Sequence, residues 1–504
     1  MLSASSAVVW NSAFDVRRSA FASGRRLCSL CCLLLVQHTI VRDVEIVAAI
    51  RNGFSKPPIR FSVLALAVSL ISALVLSSHV KKTTFHSDES GWISAGRYYT
   101  DLLWRGDFDW EKWECEACDG WGSLNMQLGK WLIGIPLELD PQVRRQNFSG
   151  YYNITASREE NVQQGLVPPQ ETLTRARNAS AFFGVVCCVL MFAIGYCAYN
   201  AFVGLLSAAM LLCNSLFVQQ SSRAMTDVHY NLFLLCVSLA VIFLIRAPTR
   251  KSALTRSVVC GLFAGLACAI KVTGILIGTG MFVVALATQQ IFFVKRSLKE
   301  IACSVALFGL AALIVIYGLN PYFWPSLPAL SDPAAIQELK AYTSEVRDSK
   351  SLPRDVRHKY PHIGTITRVF EFPRQFRRWD NFMSWASTMR MGKWQWNREL
   401  TLNYRLFLNF MFPGQILLAA AGIFFVVGKR LPELSGLTDP ARLVPLLSFV
   451  VNYLFILTFM KLNWDRYYLP TVVSTMPLAA VGTYGTGVWL YRRCFTEASK
   501  AREG

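Results

Sequence analysis

FHSDESGWISAGRYYTDLLWRGDF, at residues 85–108, follows directly on an apolar run at 61–80 that is long enough to cross a bilayer. The stretch places two adjacent carboxylates, Asp88 and Glu89, at the mouth of a predicted membrane helix. Carboxylates in that position are energetically costly unless they serve a function. A second tryptophan-containing segment, GSLNMQLGKWLIGIPLEL at 122–139, follows soon after. The sequence therefore predicts a functional site at the membrane surface.

The composition is that of a membrane protein. The 504 residues are 53% hydrophobic and 16% charged, and the mean hydropathy is +0.34. This combination excludes an ordinary soluble protein and is typical of a multi-span membrane protein. The formal charge is +19, but most basic clusters flank apolar runs, where the orientation rule for membrane proteins places them. Because no basic stripe with a recognition motif is present, nucleic acid is not an expected partner.

The apolar runs after residue 60 predict an all-α integral membrane protein with about ten (nine to twelve) transmembrane helices. The predicted spans are 61–80, 179–199, 201–220, 228–246, 256–270, 272–294, 300–318, 405–427, 442–460 and 467–490. With ten spans, the basic clusters between them fall on one side, which predicts that both termini are cytoplasmic. The membrane domain is predicted at 60–494, between a cytoplasmic or leader segment at 1–59 and a cytoplasmic tail at 495–504.

Two long loops are predicted on the extracytoplasmic side, at 81–178 and 319–404. In the first loop, aromatic and aliphatic residues repeat at helical spacing. We expect amphipathic helices there that either lie in the membrane interface or pack on the bundle. Sequons at Asn147 and Asn153 fall in the same loop, as extracytoplasmic acceptors would.

Polar residues at the predicted extracytoplasmic ends of the spans form the candidate site. They come from segments far apart in sequence: Asp88, Glu89, Arg177, Arg223, Asp227, Lys271, Asp465 and Arg466. Any one of them could be an anchor whose charge reaches the headgroup layer. Together they suit a phosphorylated substrate, because cations bind phosphate oxygens and a carboxylate accepts a proton.

Several of these segments resemble the protein O-mannosyltransferases. The segment FHSDESGWISAGRYY resembles the start of their first loop, where an Asp-Glu pair opens the loop. NMQLGKWLIGI (125–135) resembles a later element containing Gly-Lys, although the His-Pro-Pro that precedes it in the family is absent. RNASAFFG (177–184) resembles the part of the family that carries an arginine before the second span.

The resemblance continues through the second half of the chain. SRAMTDVHYNLF (222–233) resembles the family's Arg-to-Asp turn, with one residue fewer between the charges. GLFAGLACAIKVTGIL (261–276) is similar to its glycine-rich span ending in Lys-x-x-Gly, and DRYYLP (465–470) to its closing motif. GDF at 106–108 and the order of the segments also resemble the bacterial aminoarabinose transferases. Both families belong to the membrane glycosyltransferases that use polyprenyl-phosphate sugars.

The resemblance implies a GT-C-like helical bundle and an inverting transfer of a sugar from a polyprenyl-phosphate donor to an acceptor hydroxyl. A mannose-like hexose is the favoured sugar. Asp88 would be the general base, and Glu89 would orient donor or acceptor. Arg177, Arg223, Lys271 and Arg466 would bind the donor phosphate, with Asp227, Lys130 and Asp465 in supporting roles.

No metal cofactor is expected, because the phosphate is already a good leaving group. A divalent ion held by His86, Asp88, Asp227 and His229 is the alternative, since these residues have suitable ligand types. Cys115 and Cys118 form a CxxC pair, which favours a local disulfide or two free thiols over zinc because no second pair accompanies it.

One departure from the mannosyltransferases concerns the loop at 319–404, which is too short for their three-repeat luminal domain. The acceptor therefore stays open between protein, lipid and glycan, and a bacterial plasma membrane is favoured over the endoplasmic reticulum. A secondary transporter is a rival class, but it should show broken helices at mid-membrane and an inverted repeat. A non-catalytic membrane scaffold would not need carboxylates and cations collected on one face.

Overall fold

The computed structural model describes residues 57–108, 112–113, 126–146, 148–292, 296–321, 414–428, 431–459 and 465–503. Within these ranges the chain is helical and has no β-strand, as the predicted all-α class requires. The chain divides into two compact units at residue 67. The described part of the first unit is residues 57–67, in helix α1 (Pro57–Val80). The second unit contains the rest of α1 and all the helices that follow it.

The helices of the second unit follow in a simple order. Two of moderate length come first, α2 (Ser87–Arg105) and α3 (Gln127–Glu138). The next seven are α4 (Gln170–Ala198), α5 (Ala201–Leu212), α6 (Ser215–Ser221), α7 (Asp227–Ile245), α8 (Arg250–Cys268), α9 (Thr273–Phe292) and α10 (Leu298–Gly318). The last three are α11 (Gln415–Val427), α12 (Val444–Phe459) and α13 (Leu469–Glu503). Short helices at Pro141–Arg145 and Arg158–Gln163 and 3₁₀ turns at Pro440–Leu443 and Asp465–Tyr468 connect them.

Five helices of the described chain are long and apolar enough to cross a membrane: α1, α4, α7, α9 and α10. Helices α5 and α6 would together form a sixth span, but they meet at an angle of 71°. The span predicted at 201–220 is therefore bent, as a broken span or a re-entrant loop would be. The bend arises where Asn214 caps α6, because its side chain accepts a hydrogen bond from the Phe217 N–H and starts a new helix.

The predicted count of about ten spans is not confirmed. The predicted span at 256–270 lies in α8, which is not among the five, and α11 is a shorter apolar helix. Helix α13 continues through most of the predicted tail at 495–504. Most of the loop at 319–404, the first residues of the span at 405–427 and the pair Cys115 and Cys118 lie outside the described residues.

The start and end of α2 are fixed by its capping residues. Before the first turn, His86 Nδ1 accepts a hydrogen bond from the Asp88 N–H at 3.2 Å, and Glu89 Oε2 accepts one from the His86 N–H at 2.9 Å. This reciprocal pattern is a capping box. At the other end, Gly106 has φ +64°, a left-handed conformation that glycine adopts without strain. Asp88 and Glu89 are therefore held in a rigid first turn.

Helices α2 and α3 confirm the predicted amphipathic helices in the loop at 81–178. They cross at glycines, since a Cβ on Gly134 would lie 2.0 Å from the Gly96 carbonyl oxygen. Their inner faces pack on α4 in one apolar cluster that includes Ile93, Ile133 and Leu173. The packing of this cluster fixes the capped end of α2 against the bundle.

Helix α7 packs against α4, α8 and α9. It is the most enclosed of the five long apolar helices, because 78% of the residues in its apolar 18-residue stretch are buried. Its N-terminal residue, Asp227, is buried at one end of this helix. The break between α8 and α9 carries Lys271, and the 3₁₀ turn before α13 carries Arg466. Chain segments far apart in sequence thus meet at this end.

Candidate active site

The innermost part of the site is an ion pair between Glu89 of α2 and Arg177 of α4. The guanidinium donates two parallel hydrogen bonds, from Nε to Glu89 Oε1 at 2.8 Å and from Nη2 to Glu89 Oε2 at 2.7 Å. Its Nη1 donates to the carbonyl oxygens of Thr83 at 2.8 Å and Val80 at 3.3 Å. The side chain of Glu89 is 0% exposed and that of Arg177 is 2% exposed. Arg177 therefore ties the end of α1 and the start of α2 to α4.

The carboxylate of Glu89 is saturated with hydrogen bonds. Besides the two from Arg177, Oε1 accepts one from the Ala224 N–H at 2.9 Å and Oε2 accepts one from the His86 N–H at 2.9 Å. A carboxylate has about four acceptor positions, and four donors occupy them here. The group holds the turn at 222–226 against α2, and it has no lone pair left for a substrate.

A second set of charges forms a row in which the signs alternate. Asp88 Oδ2 accepts a hydrogen bond from Arg466 Nη1. Arg466 also faces the carboxylate of Asp227, whose Oδ1 accepts a hydrogen bond from Lys271 Nζ at 2.5 Å. The order is thus Asp88, Arg466, Asp227 and Lys271. Burial disfavours the charge on Arg466, but Asp227 and Asp88 outweigh it, so the pKa of the guanidinium stands above its usual value.

The row opens on a cavity of about 260 Å³. Its polar lining consists mainly of Asp227, Tyr230, Lys271, Asn452, Arg466 and Tyr467. Apolar side chains, among them Met126, Ile270, Ile277 and Phe455, form much of the remaining wall. Two cations in an otherwise largely apolar pocket suit an anionic headgroup attached to a hydrocarbon chain.

Asp88 lies beside this cavity and remains accessible. Its side chain is 24% exposed, whereas Glu89 next to it is fully buried. Two neighbouring carboxylates therefore have different environments, because helix geometry directs one toward the cavity cations and the other toward α4. Glu89 and Arg177 are not part of the cavity lining.

The other residues predicted for the site have different positions. Arg223 is buried in the turn before α7, and its charge contributes to the electrostatic field at His86. Lys130 of α3 is fully buried, with its Nζ 4.2 Å from the centre of the Tyr99 ring. Burial lowers the pKa of the Lys130 ammonium well below its usual range. For Asp465 the structure describes only the backbone, in the 3₁₀ turn.

The four residues of the alternative metal site do not form a metal-binding group within the described chain. His229 is fully buried, its ring packs 4.6 Å from that of Phe183, and its Nδ1 donates to the Met225 carbonyl oxygen at 3.1 Å. His86 instead caps α2, and burial lowers its pKa even though Asp88 opposes the shift. These two histidines therefore have local structural roles.

Sequence reasoning missed the aromatic residues of the cavity. The ammonium of Lys271 lies 5.5 Å from the ring centre of Tyr467 and 5.7 Å from that of Tyr230. Burial raises the pKa of Tyr467, so its hydroxyl stays protonated at neutral pH. The signals were present, because Tyr467 adjoins Arg466 and Tyr230 follows Asp227 by three residues, within one helical turn.

One family model matches part of the chain, and this partial match agrees with the class predicted from the motifs. The family whose model matches is the dolichyl-phosphate-mannose-protein mannosyltransferases, over residues 170–317. The matched segment runs from α4 to α10, less than a third of the chain, and includes Arg177, Arg223, Asp227 and Lys271. The segments that carry Asp88 and Arg466 lie outside it.

Three solved structures are similar in fold at low sequence identity. ArnT from Cupriavidus metallidurans in the apo state is 14% identical, with a TM-score of 0.47 over 86% of this chain and 62% of ArnT. ArnT from the same organism bound to undecaprenyl phosphate is also 14% identical, with a TM-score of 0.44 over 85% of this chain and 61% of ArnT. The archaeal oligosaccharyltransferase AglB from Archaeoglobus fulgidus, in complex with an inhibitory peptide and a dolichol-phosphate, is 13% identical. Its TM-score is 0.44 over 86% of this chain and 52% of AglB. The chain thus spans about three-fifths of ArnT and half of AglB. No curated protein matches it.

Proposed function

We propose that this protein transfers a sugar, a mannose-like hexose by the description of the matching family, from a polyprenyl-phosphate donor to an acceptor hydroxyl. The main support is the ion pair between Asp88 and Arg466 beside a cavity that also contains Lys271. It places a carboxylate next to two cations at the mouth of a largely apolar pocket. This arrangement is what a lipid phosphate and a hydroxyl nucleophile require.

In the proposed reaction the acceptor oxygen attacks the anomeric carbon from the face opposite the phosphate. The bond between that carbon and the phosphate oxygen breaks, and its electron pair leaves with polyprenyl phosphate. Asp88 takes the proton of the acceptor hydroxyl, a contribution worth typically ~10²–10⁴-fold. Arg466 and Lys271 face the phosphate and stabilise the charge that develops on it, which is often the largest single contribution to catalysis.

Arg466 connects the two halves of this mechanism. Its guanidinium bonds Asp88 and also lines the cavity, so the base and the leaving group share one cation. Negative charge moves from the acceptor side to the phosphate side during transfer. A guanidinium with several donors can stabilise both ends of that movement without changing position.

For Glu89 and Arg177 the contacts support positioning roles in place of contacts with substrate. Both are saturated by each other and by backbone groups, and neither lines the cavity. They hold the first turn of α2, and with it Asp88, against α4 and the turn at 222–226. Lys130 lies outside the cavity lining as well, so a packing role at the crossing of α2 and α3 suits it better than phosphate binding.

The test is transfer of labelled sugar from a synthetic polyprenyl-phosphate donor by purified protein in lipid, offered peptide, lipid and glycan acceptors in parallel. Asp88→Asn should lower the rate by at least ~10²-fold while leaving the unfolding temperature unchanged. Asp101→Asn is the matched control, because Asp101 pairs with exposed Arg105 on the same helix and should tolerate the change. A wild-type rate of transfer by the Asp88→Asn variant would contradict the assignment of Asp88 as general base. If wild-type protein transfers no sugar from any donor, the proposed function is wrong.

A further inference from the structure

Asp227 occupies an unexpected place for a residue in a phosphate-binding cavity. Its side chain is only 4% exposed, it accepts a hydrogen bond from Lys271 at 2.5 Å, and it faces Arg466. In the described part of the cavity wall, Lys271 and Arg466 are therefore neutralised, in part, by a carboxylate in the same wall. A site built only for tight phosphate binding would not place a negative charge there, since like charges repel strongly in a partly buried site.

The charges in the row balance. Asp88 and Asp227 contribute two negative charges, and Arg466 and Lys271 contribute two positive charges. A sugar phosphodiester donor carries one negative charge. After transfer, the lipid phosphate is a monoester and carries about −1.5 to −2 at neutral pH, as phosphate monoesters do. The product therefore adds more negative charge to the row than the donor does.

We propose that Asp227 is a specificity-determining counter-ion that favours the singly charged donor over the doubly charged lipid phosphate product. This inference rests on the function proposed above. Asp227 leaves enough positive charge on Lys271 and Arg466 to hold one phosphate charge. The second charge, which appears when the sugar leaves, is repelled by the carboxylate. The same residue thereby promotes product release and limits inhibition by free lipid phosphate.

The competing explanation is that Asp227 only positions Lys271. The two explanations predict opposite signs for one substitution. If Asp227 repels the product, Asp227→Asn tightens binding of the monoester. If it only holds Lys271 in place, the same substitution weakens every phosphate ligand, because the ammonium loses its fixed position.

The experiment measures equilibrium binding of two ligands to purified protein in lipid nanodiscs at pH 8. One ligand is a polyprenyl phosphate, and the other is the methyl ester of the same phosphate, so that the two differ by one ionisable oxygen and one small methyl group. Wild-type protein should bind the diester more tightly. Asp227→Asn should bind the monoester about tenfold more tightly than wild type does, equal to about 1.4 kcal/mol. Its affinity for the diester should change by less than about threefold, or about 0.7 kcal/mol.

Asp439→Asn is the matched control, because Asp439 pairs with Arg246 at the other end of α7 and should leave both affinities unchanged. Weaker binding of both ligands by Asp227→Asn would overturn the proposal. If that variant does not fold, the wild-type comparison still decides, because a wild-type preference for the monoester also overturns it. If neither ligand binds wild-type protein, the proposed function itself fails, which is a distinguishable result.

Discussion

The substitution Glu89→Gln separates a positioning role from a catalytic one. Glutamine keeps the shape of the side chain but replaces one carboxylate oxygen with an NH₂ group. Each oxygen of Glu89 accepts one hydrogen bond from Arg177 and one from a backbone N–H, of Ala224 or His86. Whichever way the new amide turns, its NH₂ group faces two donors. One guanidinium N–H and one backbone N–H are then left buried without an acceptor.

The expected loss follows from these contacts. A buried donor without a partner costs about 1–3 kcal/mol, and two are created. Removing one partner of a buried ion pair typically costs about 3–5 kcal/mol, which agrees with that sum. We therefore expect Glu89→Gln to lower the free energy of unfolding by about 3–5 kcal/mol and to lower the unfolding temperature in detergent clearly.

The assay is thermal unfolding of purified protein, combined with transfer measured below the midpoint of both proteins. Glu433→Gln is the control, because Glu433 and Arg492 form an exposed pair that should contribute little. Adding Arg177→Met to Glu89→Gln should cost less than the two single changes together, by roughly 0.5–3 kcal/mol, since the pair acts as a unit. An unchanged unfolding temperature with abolished transfer would refute this reasoning and make Glu89 a substrate-contacting residue.

Three further predictions concern packing, pH and topology. Gly134→Ala should destabilise the protein by about 1–3 kcal/mol in thermal unfolding, because the new methyl group would meet backbone of α2, whereas Gly309→Ala, with open space around it, should not. Because the pKa of His86 is lowered in the folded state, the unfolded chain binds more protons below pH ~6.5. Stability should therefore fall as the pH drops below that value, and His86→Asn, which keeps a capping side chain, should reduce the fall seen in a pH series of unfolding temperatures. When the protein is expressed in a eukaryotic secretory pathway, Asn153→Gln should remove a glycosidase-sensitive mass shift, because Asn153 lies exposed in a turn. Asn178→Gln should not, because Asn178 lies within α4. If the wild-type protein shows no mass shift, the prediction of an extracytoplasmic loop is contradicted.

The sequence could predict which residues meet at the site, but not how they pair. Charges at the ends of apolar runs are visible in one dimension, and membrane topology brings such ends to one face. The role of Glu89 could not be seen in this way, because its partner Arg177 lies 88 positions later. Adjacent carboxylates on a helix point about 100° apart, so Asp88 and Glu89 received different environments from packing alone.

Membrane spans could be predicted from the sequence where the apolar run was continuous. The prediction missed a bend where a polar residue interrupts the run. Two residues, Cys213 and Asn214, separate α5 from α6, and an asparagine cap turned one expected span into two helices. Hydropathy averages over such a feature, because it sums transfer free energies and ignores hydrogen bonds to the backbone. The break between α8 and α9, in contrast, lies where the sequence predicts a boundary between two spans, and it carries Lys271.

The partners Asp88 and Arg466 are separated by 378 positions along the chain. During translation the carboxylate leaves the ribosome long before the guanidinium is synthesised, and α13 comes later still. A truncated chain that stops before the 3₁₀ turn at Asp465–Tyr468 lacks the guanidinium that pairs with Asp88. In the proposed mechanism this guanidinium serves both the base and the leaving group, so we expect a prematurely terminated chain to transfer no sugar.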